Sequence, residues 1–507
     1  MKIKTLTIVL CTLALFSRCS EEEKKQIKPN IIYVLADDLG YGDLSKFNPE
    51  GKIKTPHLDQ IANDGMIFTD AHTSSSVCTP TRYGILTGRY NWRSTLKSGV
   101  LSGRSKALIS NTRTTVGKML QSKGYHTAFI GKWHLGWNWR MDSIGTIDFS
   151  KNVEQSPNDV GFDYAFGHAA SLDMPPYVYV ENGMATSIPT DSTVNEGEYS
   201  WWRNGLTASD FVHEEVTPNF FKKSFEYIKE KSKEENPFFL YLALPSPHTP
   251  ILPTEEWQNK SGLNPYADFV MMIDSYIGQL EKVIKEAGIE ENTIVIFTSD
   301  NGCSPEANFD ELKQKGHNPS YIYRGHKADI FEGGHRVPFI VKWPGKIKKG
   351  SVNNDIICTT DLMATCAEIV DYPLSDSEGE DSYSLVPLFE NKNIENPIRE
   401  ATVHHSINGS FAIRRGKWKL IMCPGSGGWS FPRPNVAVTM DSLPKFQLYD
   451  LVNDPSETSN LIATNDEKAD ELKTLLEKYI VEGRSTPGTL QKNDSINFEW
   501  KQIEFIN

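Results

Sequence analysis

The chain predicts an α/β fold, with a mostly parallel central sheet sandwiched by helices and a smaller C-terminal α+β subdomain. Three observations predict it. Short, continuous apolar runs recur through the first two-thirds of the sequence, amphipathic helical patterns separate them, and each major run ends abruptly in polar residues. Strands apolar on both faces belong in a sheet covered on both sides by crossover helices.

The elements follow in order. Ile31–Ala36 is the first strand, running into Asp37-Asp38. Thr115 is placed to cap a helix carrying Val116, Met119 and Leu120, with Gly124 as its stop. Tyr125–Ile130 is the next strand, leading to Lys132 and His134. Thr217-Pro218 opens a helix with Phe221, Phe225 and Ile228 on one face. Phe238–Leu244 is a wholly apolar strand that runs into Pro247-His248-Thr249-Pro250. Ile273, Ile277, Leu280 and Ile284 fall at helical spacing before Gly288, and Thr293–Thr298 is a strand ending in Asp300-Asn301-Gly302. Val337–Trp343 is one more strand. A boundary is expected near residue 395, giving a main domain over 29–395 and a subdomain over 396–507. The subdomain has short strands at Ala412–Arg415, Trp418–Met422 and Gln447–Tyr449, then a helix through Ala469, Leu472, Leu476 and Tyr479.

Composition narrows the functional classes. Over 507 residues the formal net charge is −12, which argues against non-specific nucleic-acid binding and leaves a local anion site open. Lys2 and Lys4 precede an apolar run, Leu6–Phe16, too short to span a bilayer and of signal-peptide dimensions. Cys19 follows it as a bacterial lipoprotein acceptor would, although Arg18 departs from the small residue usual there. Residues 1–19 are therefore expected to be a signal segment and 20–28 an acidic tether. The expected address is export, to the periplasm or to the outer membrane of a Gram-negative cell as a Cys19-anchored lipoprotein. The seven cysteines show no disulfide or zinc spacing, and Cys78 is the candidate reactive thiol.

In open α/β sheets, sites form beyond the carboxyl ends of the strands. Asp37, Asp38, Asp300 and Asn301 offer only oxygen ligands, which suit Ca²⁺ or Mg²⁺ rather than zinc. Arg82, Lys132, Lys327, His134 and His248 are donors suited to a tetrahedral oxyanion. A divalent cation beside such donors makes a site for a sulfate or phosphate ester. Each piece alone reads as a turn or an ordinary loop. Their joint occurrence at strand ends does not.

Cys78-Thr79-Pro80-Thr81-Arg82, followed by Leu86-Thr87-Gly88-Arg89, resembles the motif of type I sulfatases of the alkaline-phosphatase superfamily. Asn30–Leu39, Gly131–Gly136, Arg324–Pro338 and Gln447–Leu461 resemble further blocks of that family, in the right order. Thr81 stands where Ser is frequent. The resemblance implies that Cys78 becomes formylglycine through a maturation enzyme and that its gem-diol attacks sulfur. It also implies one calcium held by Asp37, Asp38, Asp300, Asn301 and the modified Cys78. Arg82 and Lys132 would hold the diol oxygens, His248 and Lys327 the sulfate. His248 would act as the acid, and His134 would take the proton that releases sulfate. The expected substrate is a sulfated carbohydrate, an algal polysaccharide such as ulvan or a glycosaminoglycan oligosaccharide. A phosphoester or phosphonate hydrolase and a catalytically dead glycan-binding protein remain as alternatives. Glu332 and Arg336 read as structural, fixing the Gly333-Gly334 turn. His404 and His405 are divided between substrate contact and packing. Trp137, Trp139, Tyr177, Tyr179, Trp201 and Trp202 are divided between sugar stacking and core.

Overall fold

The computed structural model describes residues 28–390 and 396–506. The expected signal segment, Cys19, most of the tether and the inter-domain boundary near 395 lie outside these residues. Among the described residues no helix is long and apolar enough to cross a membrane.

A ten-stranded sheet organises the chain. Its centre is five neighbouring parallel strands in the order Thr293–Ser299, Asn30–Asp37, Phe238–Pro247, His126–Lys132 and Tyr164–His168. Every residue of Asn30–Asp37, Phe238–Pro247 and Thr293–Ser299 is buried, as their unbroken apolar runs require. Registers align the carboxyl ends: Ala36 pairs with Ser299, Asp37 with Pro247, Ala243 with Gly131 and Lys132 with His168. Helices cover the sheet in two groups. Pro56–Asp64, Val216–Lys231 and Pro265–Glu286 form one, and Cys78–Thr87, Val116–Ser122 and Leu362–Ile369 the other. Thr115 caps its helix as expected, accepting from the Lys118 amide at 3.1 Å.

The sheet's flanks differ from the expectation. The strand read at 337–343 is Phe339–Lys342, and it runs antiparallel to Thr293–Ser299. Both faces of an inner strand are covered whichever way it runs, so its apolar run carried no directional signal. The helix expected from Thr217 begins at Val216, directly after a 3-10 turn. The strand Thr402–His405 was not expected. It is the first of a four-stranded antiparallel sheet completed by Phe411–Arg415, Trp418–Ile421 and Gln447–Asp450, against which Asp466–Glu482 packs.

A buried polar seam joins that small sheet to the main one. Lys419 pairs with Glu332 at 3.0 Å and with Glu457 at 2.8 Å, and Arg336 and Arg414 both reach Asp70, at 2.8 and 2.6 Å. His335 stacks on His404 at 3.9 Å, and its Nδ1 meets that of His72 at 3.0 Å. Glu332 and Arg336 are therefore structural, with a reach well beyond the local turn. Breaking such a buried pair by removing one partner costs about 3–5 kcal/mol.

Two stability predictions follow from these contacts. Gly131 holds φ +131°, and a Cβ there would lie 1.8 Å from the Ala243 carbonyl oxygen. Gly131→Ala should lower unfolding stability by about 3 kcal/mol or more, read from denaturant midpoints. Burial holds the His72 imidazole down at about 4, against the opposing pull of Glu332 and Asp70. The unfolded chain takes up that proton near the ordinary histidine value, so the contribution is present at neutral pH and lost as pH falls toward 4. His72→Asn should flatten the acid side of the stability profile by up to about 1.4 kcal/mol per pH unit. Equal slopes for both proteins would exclude it.

Candidate active site

The sheet's carboxyl edge collects side chains from four strands, one helix and one later loop. Asp37 is the last residue of its strand, and Asp38 follows in the left-handed region at φ +65°. The Asp300 amide continues the ladder, donating to the Ala36 carbonyl at 3.1 Å. Asp38 and Asp300 are thereby brought together, and the Asp38 amide donates to Asp300 Oδ1 at 3.3 Å. Asn301 donates its amide to Asp38 Oδ1 at 2.6 Å. Lys132 ends its strand, and its ammonium is paired with Asp37. His134 follows at φ +54°, because the two residues after Lys132 bond along the next strand's extension: Trp133 and His134 donate to the His168 and Ala169 carbonyls at 3.0 Å.

The helix Cys78–Thr87 is buried at every position and delivers Cys78 at its first residue, with Arg82 one turn later. Pro80 sits in the first turn, where its missing amide costs no internal bond. Gly88 closes the helix at φ +62°. Thr81 donates its hydroxyl to the Ser75 carbonyl at 2.9 Å, a bond that Ser would also make. Arg82 reaches across to Asp300, with Nη2 at 2.8 Å and Nε at 2.9 Å, and donates Nη1 to the Lys132 carbonyl at 2.8 Å. Lys327 arrives from the segment after the last central strand and donates to Asp38 Oδ2 at 2.7 Å. His248 places Nε2 3.6 Å from the same oxygen.

Three buried carboxylates thus face three buried cations. Burial alone would raise the Asp37 carboxyl, but Lys132, His248 and Arg82 outweigh it and hold it well below the usual range. Burial and the neighbouring Asp37 charge push Asp300 the other way, up to about 7. Burial also raises the Cys78 thiol to about 11, against the pull of Lys132 and Lys327, which makes a thiolate unfavourable. His134 is held well below the ordinary imidazole value by burial and by Lys132.

All ten sequence-predicted residues meet at this edge: Asp37, Asp38, Cys78, Arg82, Lys132, His134, His248, Asp300, Asn301 and Lys327. Ligand atoms of Asp37, Cys78 and Asp300 lie within 4.8 Å of one another, as do those of Asp37, Asp38 and His248. Asp37 Oδ1 and Asn301 Oδ1 are buried with no hydrogen-bond partner. Two unpaired hard oxygens beside two more carboxylates fit a Ca²⁺-type ion.

The divided expectations resolve. His404 and His405 are buried in the domain seam. Trp137, Trp139, Tyr177 and Tyr179 are core, whereas Trp201 and Trp202 are half-buried on the Trp202–Thr207 strand or just before it. A cleft of about 680 Å³ lies beside this edge, walled by Tyr199, Glu306, Phe309, Arg324 and His326. It adjoins the site along the chain: His326 precedes Lys327, and Tyr199 accepts from the Ile251 amide, three residues past His248, at 2.8 Å. Sequence reading missed His168, whose carbonyl accepts from the Trp133 amide and whose imidazole is lowered by burial and by the nearby charges of Lys132 and Arg82. The strand Tyr164–His168 carries the signal that could have found it, since it too ends in a polar residue.

Arg82→Met should lower unfolding stability by about 3–5 kcal/mol, because Asp37 and Asp300 lose their shared cation in a buried setting. Chemical denaturation checks this. A change within about 0.5 kcal/mol, the range of ordinary surface substitutions, would show that the carboxylates do not depend on the arginine.

Comparison with known proteins places this geometry. A family model described as Sulfatase matches residues 29–372. An N-acetylgalactosamine-6-O-sulfatase of Bacteroides thetaiotaomicron is 32% identical, over 94% of this chain and 98% of its own. Human arylsulfatase A is 30% identical, over 86% of this chain and 83% of its own. A solved structure from Bacteroides thetaiotaomicron, described with the metabolism of multiple glycosaminoglycans, superposes with TM-score 0.78 at 33% identity, covering 89% of this chain and 99% of that one.

Proposed function

The chain belongs to the sulfatase family and is a sulfuric ester hydrolase, and we propose that it removes sulfate from a sulfated carbohydrate with one calcium ion and a formylglycine made from Cys78. The observation that carries this reading is the pairing, around Cys78, of an all-oxygen ligand set with a cationic donor set. The sugar class is taken from the relatives. An N-acetylgalactosamine-6-O-sulfatase and a glycosaminoglycan-metabolism structure favour a glycosaminoglycan amino sugar over an algal polysaccharide such as ulvan.

Asp37, Asp38, Asp300 and Asn301 would hold the calcium, with the converted side chain of residue 78 as a further ligand. The bound ion supplies Lewis-acid polarisation of a sulfate oxygen, and the hydrated aldehyde supplies the nucleophilic hydroxyl. The chain's own groups do the rest. Arg82 and Lys132 hold charge beside residue 78. His134 fixes its tautomer by donating Nε2–H to the Leu101 carbonyl at 2.7 Å, which leaves Nδ1 as a buried, unpartnered acceptor. Nδ1 is the atom placed to take a proton. His248 is tied at Nδ1 to the Thr249 carbonyl, so Nε2 is the atom left to deliver a proton to the departing sugar oxygen. Lys327 carries a fixed positive charge beside it, raised in pKa by Asp38 against the effect of burial.

The sequence supports two further parts of this proposal. The amino-terminal pattern supports export, with Cys19 as a lipid anchor to the membrane. Cys78-x-Pro-x-Arg82 supports recognition by a formylglycine-generating enzyme before folding buries it.

Co-expressed with a maturation enzyme, the peptide containing Cys78 should lose about 18 Da, the mass difference between thiol and aldehyde. Cys78→Ala and removal of calcium by a chelator should each abolish turnover of an aryl sulfate. Aryl sulfate should be strongly preferred over aryl phosphate. Full activity with an unmodified Cys78 would overturn the nucleophile. A large preference for phosphate would favour the phosphoester or phosphonate reading, and an unmodified Cys78 with no hydrolysis, despite the maturation enzyme, the binding-protein reading.

A further inference from the structure

Asp38, one of the proposed calcium ligands, has a backbone conformation that side chains disfavour. Its φ is +65°, in the left-handed region, and the residue is buried. A non-glycine residue keeps such a conformation only where its surroundings over-determine it. The turn that follows shows what does so. The Asp38 carbonyl accepts from the Tyr266 hydroxyl at 3.1 Å, the Leu39 amide donates to Ser299 Oγ at 3.0 Å, and the Gly40 amide donates to Asp43 Oδ2 at 2.7 Å.

Asp43 is the hub of these bonds, although it is not one of the ten residues gathered at the sheet's edge. Its Oδ2 also accepts from the Tyr266 hydroxyl, whose proton it shares with the Asp38 carbonyl. Its Oδ1 accepts from His317 Nε2 at 2.8 Å. The tautomer of His317 is fixed, because Nδ1 accepts from the Lys52 amide at 3.1 Å and leaves the proton on Nε2. Asp43, Tyr266 and His317 are each at most 1% exposed, so water does not compete for these bonds.

His317 lies on the segment that leaves the site after Asn301 and returns to it at Lys327. That segment is seated flush against the Asp38 turn. The Gly42 amide donates to the Pro319 carbonyl at 2.6 Å. A Cβ on Gly40 would lie 2.4 Å from the Pro319 carbonyl oxygen, and one on Gly42 would lie 2.3 Å from that of Asn318. Only glycine admits so close an approach of two backbones. The imidazole is thereby brought to Asp43 from outside the sheet.

Resting on the calcium reading, we propose that Tyr266 and His317 are positioning residues for the metal site. His317 holds Asp43, Asp43 holds Tyr266 and the Gly40 amide, and together they keep Asp38 in the left-handed turn that presents its carboxylate to the ion. They act through the turn and not by contact with the reacting groups. The test titrates calcium chloride into the matured, chelator-stripped full chain by calorimetry. Tyr266→Phe removes one hydroxyl and keeps the ring, and His317→Phe removes the donor to Asp43. Each should weaken calcium binding by roughly 10- to 100-fold, the range for lost bonds that orient metal ligands. The calcium concentration that gives half-maximal turnover of 4-nitrophenyl sulfate should rise by the same factor. Asp274→Asn controls for general loosening. Asp274 lies on the Tyr266 helix, about 12 Å further along its axis, and accepts from the His57 and Leu58 amides. Its variant should lower unfolding stability and leave calcium affinity within about twofold of the parent's. Should His317→Phe fail to fold, Tyr266→Phe decides alone. Unchanged affinity in the folded variants would overturn the proposal, and so would an equal weakening by Asp274→Asn. If the parent took up no calcium, the calcium reading would fall and this one with it. A parent that binds, with variants that match it, overturns this one alone.

Discussion

Arg82 is the interaction on which the rest of the site depends. Its guanidinium is wholly buried, grips Asp300 through two nitrogens, stands near Asp37 and bonds the Lys132 carbonyl. It therefore links a helix to three strands of the sheet. Without it, two carboxylates at adjacent strand ends would face one another in a low-dielectric setting, where like charges are most expensive. Burial and the Asp37 charge push Asp300 up, while Lys132, His248 and Arg82 hold Asp37 down against burial, so the two acids share their cations unequally. The helix that carries Arg82 also carries Cys78, so the contacts that hold Arg82 also fix where Cys78 sits.

The C-terminal sheet has a part in this through the segment that bears Lys327. The Ala328 amide bonds to Ser76, the Ile330 amide to Ser426 in the subdomain, and Asp329 accepts from the Trp429 and Ser430 amides at 2.8 and 3.0 Å. Five residues on, Glu332 enters the buried network with Lys419 and Arg336. The subdomain thus clamps both flanks of a loop that otherwise has few regular contacts. Its buried imidazoles are neutral members of a charged network, and this ties the seam to pH although the reaction happens elsewhere.

Much of this was legible in the sequence, for identifiable reasons. Strands buried on both faces must be apolar throughout, so Asn30–Asp37, Phe238–Pro247 and Thr293–Ser299 announced themselves, and the polar residues at their ends stood out by contrast. The same property hid the antiparallel direction of Phe339–Lys342. The Cys78–Thr87 helix was silent because burial on every side erases amphipathic periodicity, and Pro80 and Gly84 have low helix propensity. Thr402–His405 was missed because four residues, two of them histidines, carry too little β signal. Trp137 and Tyr177 could not be sorted from Trp201 by type, since aromatics serve core and surface alike. Only the packing around them decides.

The uneven legibility follows a division of labour within the fold. Residues at the strand ends are fixed by a ladder of backbone bonds whose register the whole sheet enforces, and the sheet brings them to one edge. Asp173 and His213 sit on connecting segments, held by one carbonyl, one arginine and a stacked tryptophan. Such attachments can be changed without disturbing the sheet. Changes there would leave Arg82 and its carboxylates in place. The sequence therefore speaks clearly about side chains that the sheet's register holds and faintly about those that loops hold.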